Sequence, residues 1–119
     1  MKFCHVTLTV KNLDASLEFY QNIVGLPINR RFPSGEGELV FLGSEVTQVE
    51  LVSRGTEFYE EGKPLGNGIS IGFETDSTEN MKALLKDKGY EAFGEFKSPR
   101  VSFFFVKDPD GYNVQFIQH

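Results

Sequence analysis

With a single cysteine, Cys4, the chain cannot form an internal disulfide, and such low usage fits a reducing compartment. No apolar run approaches the roughly 18–20 residues that a membrane helix needs. No basic-then-apolar leader follows Met1, because strand-like alternation begins at once. Basic residues are few and scattered: only Arg30 and Arg31 are adjacent, and the net charge is −5. Phosphate binding needs a basic stripe, so nucleic acid is not expected as a partner. Low-complexity and coiled-coil segments are also missing. The expectation is a soluble, cytoplasmic protein with no membrane partner. At 119 residues, 39% hydrophobic and 24% charged, the chain is one ordinary globular domain's worth.

What is present is a pattern that occurs twice. Phe103 to Lys107, the turn residues Asp108-Pro109-Asp110-Gly111-Tyr112, and Asn113 to Ile117 read as strand, tight turn, strand. Taken back by 64 residues the first strand lands on Leu39–Gly43, and taken back by 65 the second lands on Gln48–Val52, with Ser44–Thr47 between them. The shift of 65 also takes Ile69–Phe73 to Cys4–Leu8, and Asp76–Glu79 to Lys11–Asp14. Identity between the halves is low, so the pattern of residue types carries the repeat. The chain therefore reads as two copies of a strand–helix–strand–strand–strand unit, an α+β architecture. Module one covers about residues 1–55, a linker about 53–68, and module two about 69–119.

Within module one, Phe3 to Val10 alternates as a half-buried strand. Leu13, Leu17, Tyr20 and Val24, widened by Phe19 and Ile23, then mark a helical stripe. Asn12 is its expected N-cap and Gly25 its stop. Strands follow at Leu26–Phe32, Glu38–Leu42 and Thr47–Val52. In module two, Ile69–Glu74 is a strand, and Asp76 with Glu79 suggests a capping box. Met81, Leu84 and Leu85 form a helix stripe ended by Gly89, and Glu91–Phe96 is a short strand. The joint, Ser53 to Gly68, contains Phe58 and Tyr59 as lid or packed-turn residues.

Each helix needs an apolar sheet face to cover. Cys4, Val6, Leu8, Val49 and Leu51 supply it in module one; Ile69, Ile71, Phe73, Val114 and Phe116 supply it in module two. By the two-residue period of a strand, the opposite faces carry His5, Thr7, Thr9, Gln48 and Glu50, and Ser70, Gly72, Asn113 and Gln115. A concave pocket closed around such faces would be lined with imidazole, hydroxyl, carboxylate and amide groups.

The residues at these places resemble the vicinal oxygen chelate superfamily, which includes glyoxalase I, bleomycin-resistance proteins, fosfomycin-resistance enzymes and extradiol dioxygenases. The resemblance rests on His5, on Asn12-Leu13-Asp14-Ala15-Ser16-Leu17-Glu18-Phe19-Tyr20 with Gly25-Leu26, and on Gln48-Val49-Glu50-Leu51. It continues through Ile71-Gly72-Phe73-Glu74-Thr75-Asp76 and Phe105-Val106-Lys107-Asp108-Pro109-Asp110-Gly111-Tyr112. It implies two βαβββ modules in a U-shaped barrel with a concave cleft and one helix on the outer face of each module. It also implies a homodimer, and metal ligands at the positions of His5, Glu50, Ser70 and Gln115. His5 and Glu50 match that pattern; Ser70 replaces a histidine and Gln115 a glutamate.

The expected metal ligands are thus His5, Glu50 and Gln115, for nickel, zinc, manganese or iron. Thr7, Gln48, Ser70, Asn113 and Phe104 are the expected substrate contacts, and Glu50 is the one candidate catalytic carboxylate. Gln115 has no usable basicity, and only one histidine is available where the dioxygenases and fosfomycin enzymes use two. Two readings follow. One is a glyoxalase-like metal-assisted lyase or isomerase on a small oxygenated substrate, distinct from glyoxalase I itself. The other is a metal-free small-molecule binder resembling the bleomycin-resistance proteins.

Overall fold

The expected strand–helix–strand–strand–strand order is found twice in the computed structural model, which describes residues 5–44, 47–53 and 69–119. The chain divides into two compact units, Met1–Lys63 and Pro64–His119. Phe3, Cys4, Phe58 and Tyr59 lie outside the described residues.

Module one comprises β1 (His5–Val10), α1 (Leu13–Leu17), which runs on as a π-helical segment Glu18–Ile23, then β2 (Ile28–Ser34), β3 (Gly37–Gly43) and β4 (Gln48–Ser53). Its sheet has the order β1-β4-β3-β2, with β1 parallel to β4 and the other pairs antiparallel. Module two comprises β5 (Ser70–Glu74), α2 (Thr78–Asp87), β6 (Phe93–Lys97), β7 (Ser102–Lys107) and β8 (Asn113–Gln118). Its order, β5-β8-β7-β6, is the same topology, with β5 parallel to β8. The expected barrel is corrected to two open four-stranded sheets; about eight strands are needed before a sheet closes around its own side chains.

The repeat is visible in the helix caps. The Asn12 side chain accepts a hydrogen bond from the Ala15 amide, and Ser77, 65 residues on, accepts one from the Asn80 amide. The second cap is thus Ser77 and not Asp76. In both modules the chain turns out of its helix through glycine, Gly25 at φ +89° and Gly89 at φ +92°, where a side chain would be strained.

Beneath the helices the expected core is largely present. Leu8, Val10, Val40, Leu42 and Leu51 are sealed in module one with Phe19 and Tyr20. Val106, Val114, Phe116 and Leu85 are sealed in module two. Leu84 and Ile69, expected in the core, are instead exposed.

One strand is offset by 64 residues instead of 65, and its register decides which side chains face where. In β3 and β4, Gly43 pairs with Gln48 and Val40 with Leu51; in β7 and β8, Lys107 pairs with Asn113 and Phe104 with Phe116. The second hairpin loop is one residue longer, so β7 matches β3 with a shift of 64. That extra residue belongs to the Asp108–Tyr112 turn. There the buried Asp108 carboxylate accepts hydrogen bonds from the amides of Asp110 and Tyr112. A one-residue change of register exchanges the two faces of a strand.

Candidate functional site

In module one, direct cross-strand partners form a single row. Thr7 on β1 pairs with Glu50 on β4, Glu50 with Phe41 on β3, and Phe41 with Arg30 on β2. Alternation along the strands puts all four side chains on the sheet face opposite the core, with His5 two residues before Thr7 and Gln48 paired to His5. The Thr7 hydroxyl donates to Glu50 Oε1 at 2.5 Å. His5 Nε2 stands 3.9 Å from the same oxygen, and its ring meets Phe41 edge-on with centroids 5.7 Å apart. The Glu50 side chain keeps only 13% of its surface exposed, whereas His5 keeps 40%. A carboxylate so covered needs a donor or a cation, and Thr7 supplies the donor.

These two donors fit neighbouring places around a divalent cation. Two ligands each about 2.1 Å from a tetrahedral zinc stand roughly 3.4 Å apart. The observed 3.9 Å therefore requires a shift of only about half an ångström. Among the described residues, no three His, Cys, Asp or Glu side chains come together. A third protein ligand from the described residues therefore has to be a neutral oxygen, weaker than a second carboxylate.

In module two the corresponding row is Gly72 on β5, Gln115 on β8, Phe105 on β7 and Phe93 on β6. Ser70 and Asn113 pair on the same face. Gly72 stands where the repeat has Thr7, and a Cβ there would come within 3.3 Å of Gln115 Oε1. The missing side chain is what gives the Gln115 amide its room. Asn113 Oδ1 accepts from Lys107 Nζ at 2.5 Å, and Lys107 also lies over the Phe93 ring. Phe93 stacks on Phe105, and Phe96 on Phe103, so this face is strongly aromatic.

Module one therefore brings together His5, Thr7, Gln48 and Glu50, and module two brings together Ser70, Asn113 and Gln115. Phe104 is a correction. Expected as a substrate contact, it is 1% exposed and stacks on Phe116 in the core. The longer hairpin loop gives the outward positions to Phe103 and Phe105. Thr7, also expected to touch substrate, is committed to Glu50. Sequence reasoning missed Phe41 and Arg30. Their signal was alternation in β2 and β3, but only the pairing register shows that they continue the Thr7–Glu50 row.

A strand pair offering imidazole and carboxylate, within a duplicated βαβββ unit, defines the class. Residues 2–116 match the Glyoxalase/Bleomycin resistance protein/Dioxygenase superfamily, and the chain belongs to it. Over 128 aligned residues it is 35% identical to the lactoylglutathione lyase of Neisseria meningitidis serogroup A, covering 99% of this chain and 91% of that one. It is 36% identical to the probable lactoylglutathione lyase of Synechocystis sp., covering 99% and 95%. In fold it is similar to TnmS3, an antibiotic binding protein from Streptomyces sp. CB03234, with a TM-score of 0.75 at 20% identity over 99% and 95% of the two chains.

These relatives overturn the expectation of an activity distinct from glyoxalase I. Lactoylglutathione lyase is the glyoxalase I reaction, and the similarity runs through nearly the whole chain. Departures at Ser70 and Gln115 affect two positions, and a neutral oxygen can still ligate at one of them.

Proposed function

We propose that this protein is a metal-assisted lyase of the lactoylglutathione lyase kind, interconverting a thiohemiacetal and the corresponding 2-hydroxyacyl thioester. The single observation that carries the reading is the covered Glu50 carboxylate, held by Thr7 with the His5 imidazole beside it. The names of the relatives support the substrate class.

His5, Glu50 and Gln115 would hold a divalent metal. Such a metal would supply Lewis acidity to the hydroxyl and carbonyl oxygens of adjacent substrate carbons and so acidify the hydrogen on the hydroxyl-bearing carbon. Nickel, zinc, manganese and iron all suit the imidazole, carboxylate and amide mixture. The proton then has to move from one carbon to its neighbour. Glu50 is the only basic oxygen in the set, because an amide has no useful proton affinity. Thr7 keeps its hydrogen bond to Oε1, so Oε2 takes the proton from the first carbon and returns it to the second, while the hydroxyl proton of the first carbon passes through solvent to the oxygen on the second. Gln48, Ser70 and Asn113 are the proposed polar contacts to the rest of the substrate. A homodimer in the cytoplasm is part of the same proposal, and no described helix is long and apolar enough to cross a membrane.

The test is thioester formation from the hemithioacetal of glutathione and a 2-oxoaldehyde, after dialysis against a chelator and again with each metal restored. Turnover that the chelator removes and one metal returns is the expected result; no thioester with any of the four metals defeats the proposal. A second expectation concerns Thr7. Thr7→Val keeps the shape and deletes the donor, and kcat/KM should fall about 10- to 100-fold, as when outer partners of metal ligands are removed. Thr7→Ser should recover most of it. A loss in Thr7→Ser with none in Thr7→Val would mean the methyl group matters and the hydroxyl does not.

A further inference from the structure

Arg30 occupies the end of the Thr7–Glu50–Phe41 row, and its guanidinium carbon lies 4.2 Å from the centroid of the Phe41 ring. Phe32 stacks on that ring, with centroids 6.3 Å apart. A guanidinium laid over an aromatic face loses water from one side but keeps its in-plane N–H fork for a planar oxyanion. Arg31 shows the contrast. It points to the other face and forms a two-pronged pair with Glu38, at 2.9 and 3.1 Å. That contact raises the Arg31 pKa and holds the Glu38 carboxyl below its usual range. Among the described residues, Arg30 has no carboxylate within ion-pairing distance. The chain carries a net charge of −5, so an arginine that no described carboxylate meets, on the same face as Glu50, stands out. Module two has no arginine there: its row ends on Phe93, and the cation over that ring, Lys107, is bonded to Asn113.

From this row we infer that Arg30 is a specificity-determining residue that binds a carboxylate of the substrate. The inference rests on the reading proposed above and deepens it by fixing the substrate's charge. Glu50 and Arg30 are two strands apart, which at about 4.8 Å per strand sets roughly 10 Å between their backbones. The substrate class is therefore a thioester or thiohemiacetal with a carboxylate about a nanometre from the carbons that exchange the proton. A thiol adduct with a neutral tail would make the same contacts at Glu50 and none at Arg30.

The test separates binding from turnover. Affinities of an S-alkyl glutathione, an inert thioether with both carboxylates, and of its diester, in which both carboxylates are masked, are measured by calorimetry on the metal-loaded protein. The intact protein should prefer the diacid by about tenfold or more, within the range of a charge-assisted two-pronged pair. Arg30→Gln should abolish the preference, Arg30→Lys should restore part of it, and Arg31→Gln should leave it intact. A preference that survives Arg30→Gln overturns the inference. So does a preference lost equally in Arg31→Gln, or failure of the intact protein to bind the diacid at all. If the diacid preference behaves as expected but the hemithioacetal is not turned over, the proposed reaction fails while the role of Arg30 stands. Turnover without any diacid preference means the reverse.

Discussion

His5→Ala should lose its divalent metal on dialysis, with affinity reduced at least about 100-fold. Loss of a mere outer partner of a metal ligand already costs 10- to 100-fold, and His5 is the only imidazole in the proposed set. The remaining donors would be one carboxylate and neutral oxygens, a set closer to a weak magnesium site than to one selective for nickel or zinc. Exposure of the His5 side chain is 40%, so its removal leaves no cavity, and the variant should unfold at nearly the denaturant concentration of the parent. The complementary change, Gln115→Glu, adds a second negative charge to the set and should tighten metal binding. Competition against a chelating dye measures both. A His5→Ala affinity within threefold of the parent would show that the imidazole does not ligate, and an unchanged Gln115→Glu affinity would remove Gln115 from the set.

Phe104→Ala should cost about 3–5 kcal/mol of stability, the usual range for emptying a sealed aromatic site. The side chain is 1% exposed, stacks on Phe116 with centroids 5.5 Å apart, and shares its face with Val106 and Val114. Phe105→Ala, one residue along on the opposite face, should cost less, because its ring is partly exposed. Urea unfolding followed by circular dichroism distinguishes them. A loss below about 1 kcal/mol for Phe104→Ala would contradict its place in the core, since even small core truncations reach that figure. The pair matters because Phe103, Phe104 and Phe105 are chemically identical, and only the register tells which of them supports the fold.

Much of the chain was legible beforehand because periodicity is a local property. The 65-residue spacing matches Asn12 with Ser77, and His5 with Ser70, since both helix caps and both parallel strand pairs keep the same offset. The polar face of module one was equally legible. A two-residue alternation fixes His5, Thr7, Gln48 and Glu50 on one side whatever the rest of the fold does. Leu84 shows the limit: a helix stripe records which residues could be covered, while the width of the sheet beneath decides which are. Activity is not legible in the same way. Two altered ligand positions outweighed the remaining similarity, although a site's chemistry depends on the whole donor set and its supports.

By itself, the order of residues determined the duplicated strand–helix–strand–strand–strand unit, the places of both helices and the facing of His5 and Glu50. These follow from the spacing of apolar side chains and from caps that act within a few residues. Only the tertiary structure decided that Thr7 belongs to Glu50, that Arg30 and Phe41 extend their row, and that Phe104 is core. Each of these depends on which residue of one strand lies opposite which residue of another. Hairpin loop length sets that pairing, and a single extra residue near Asp108 was enough to reverse a strand.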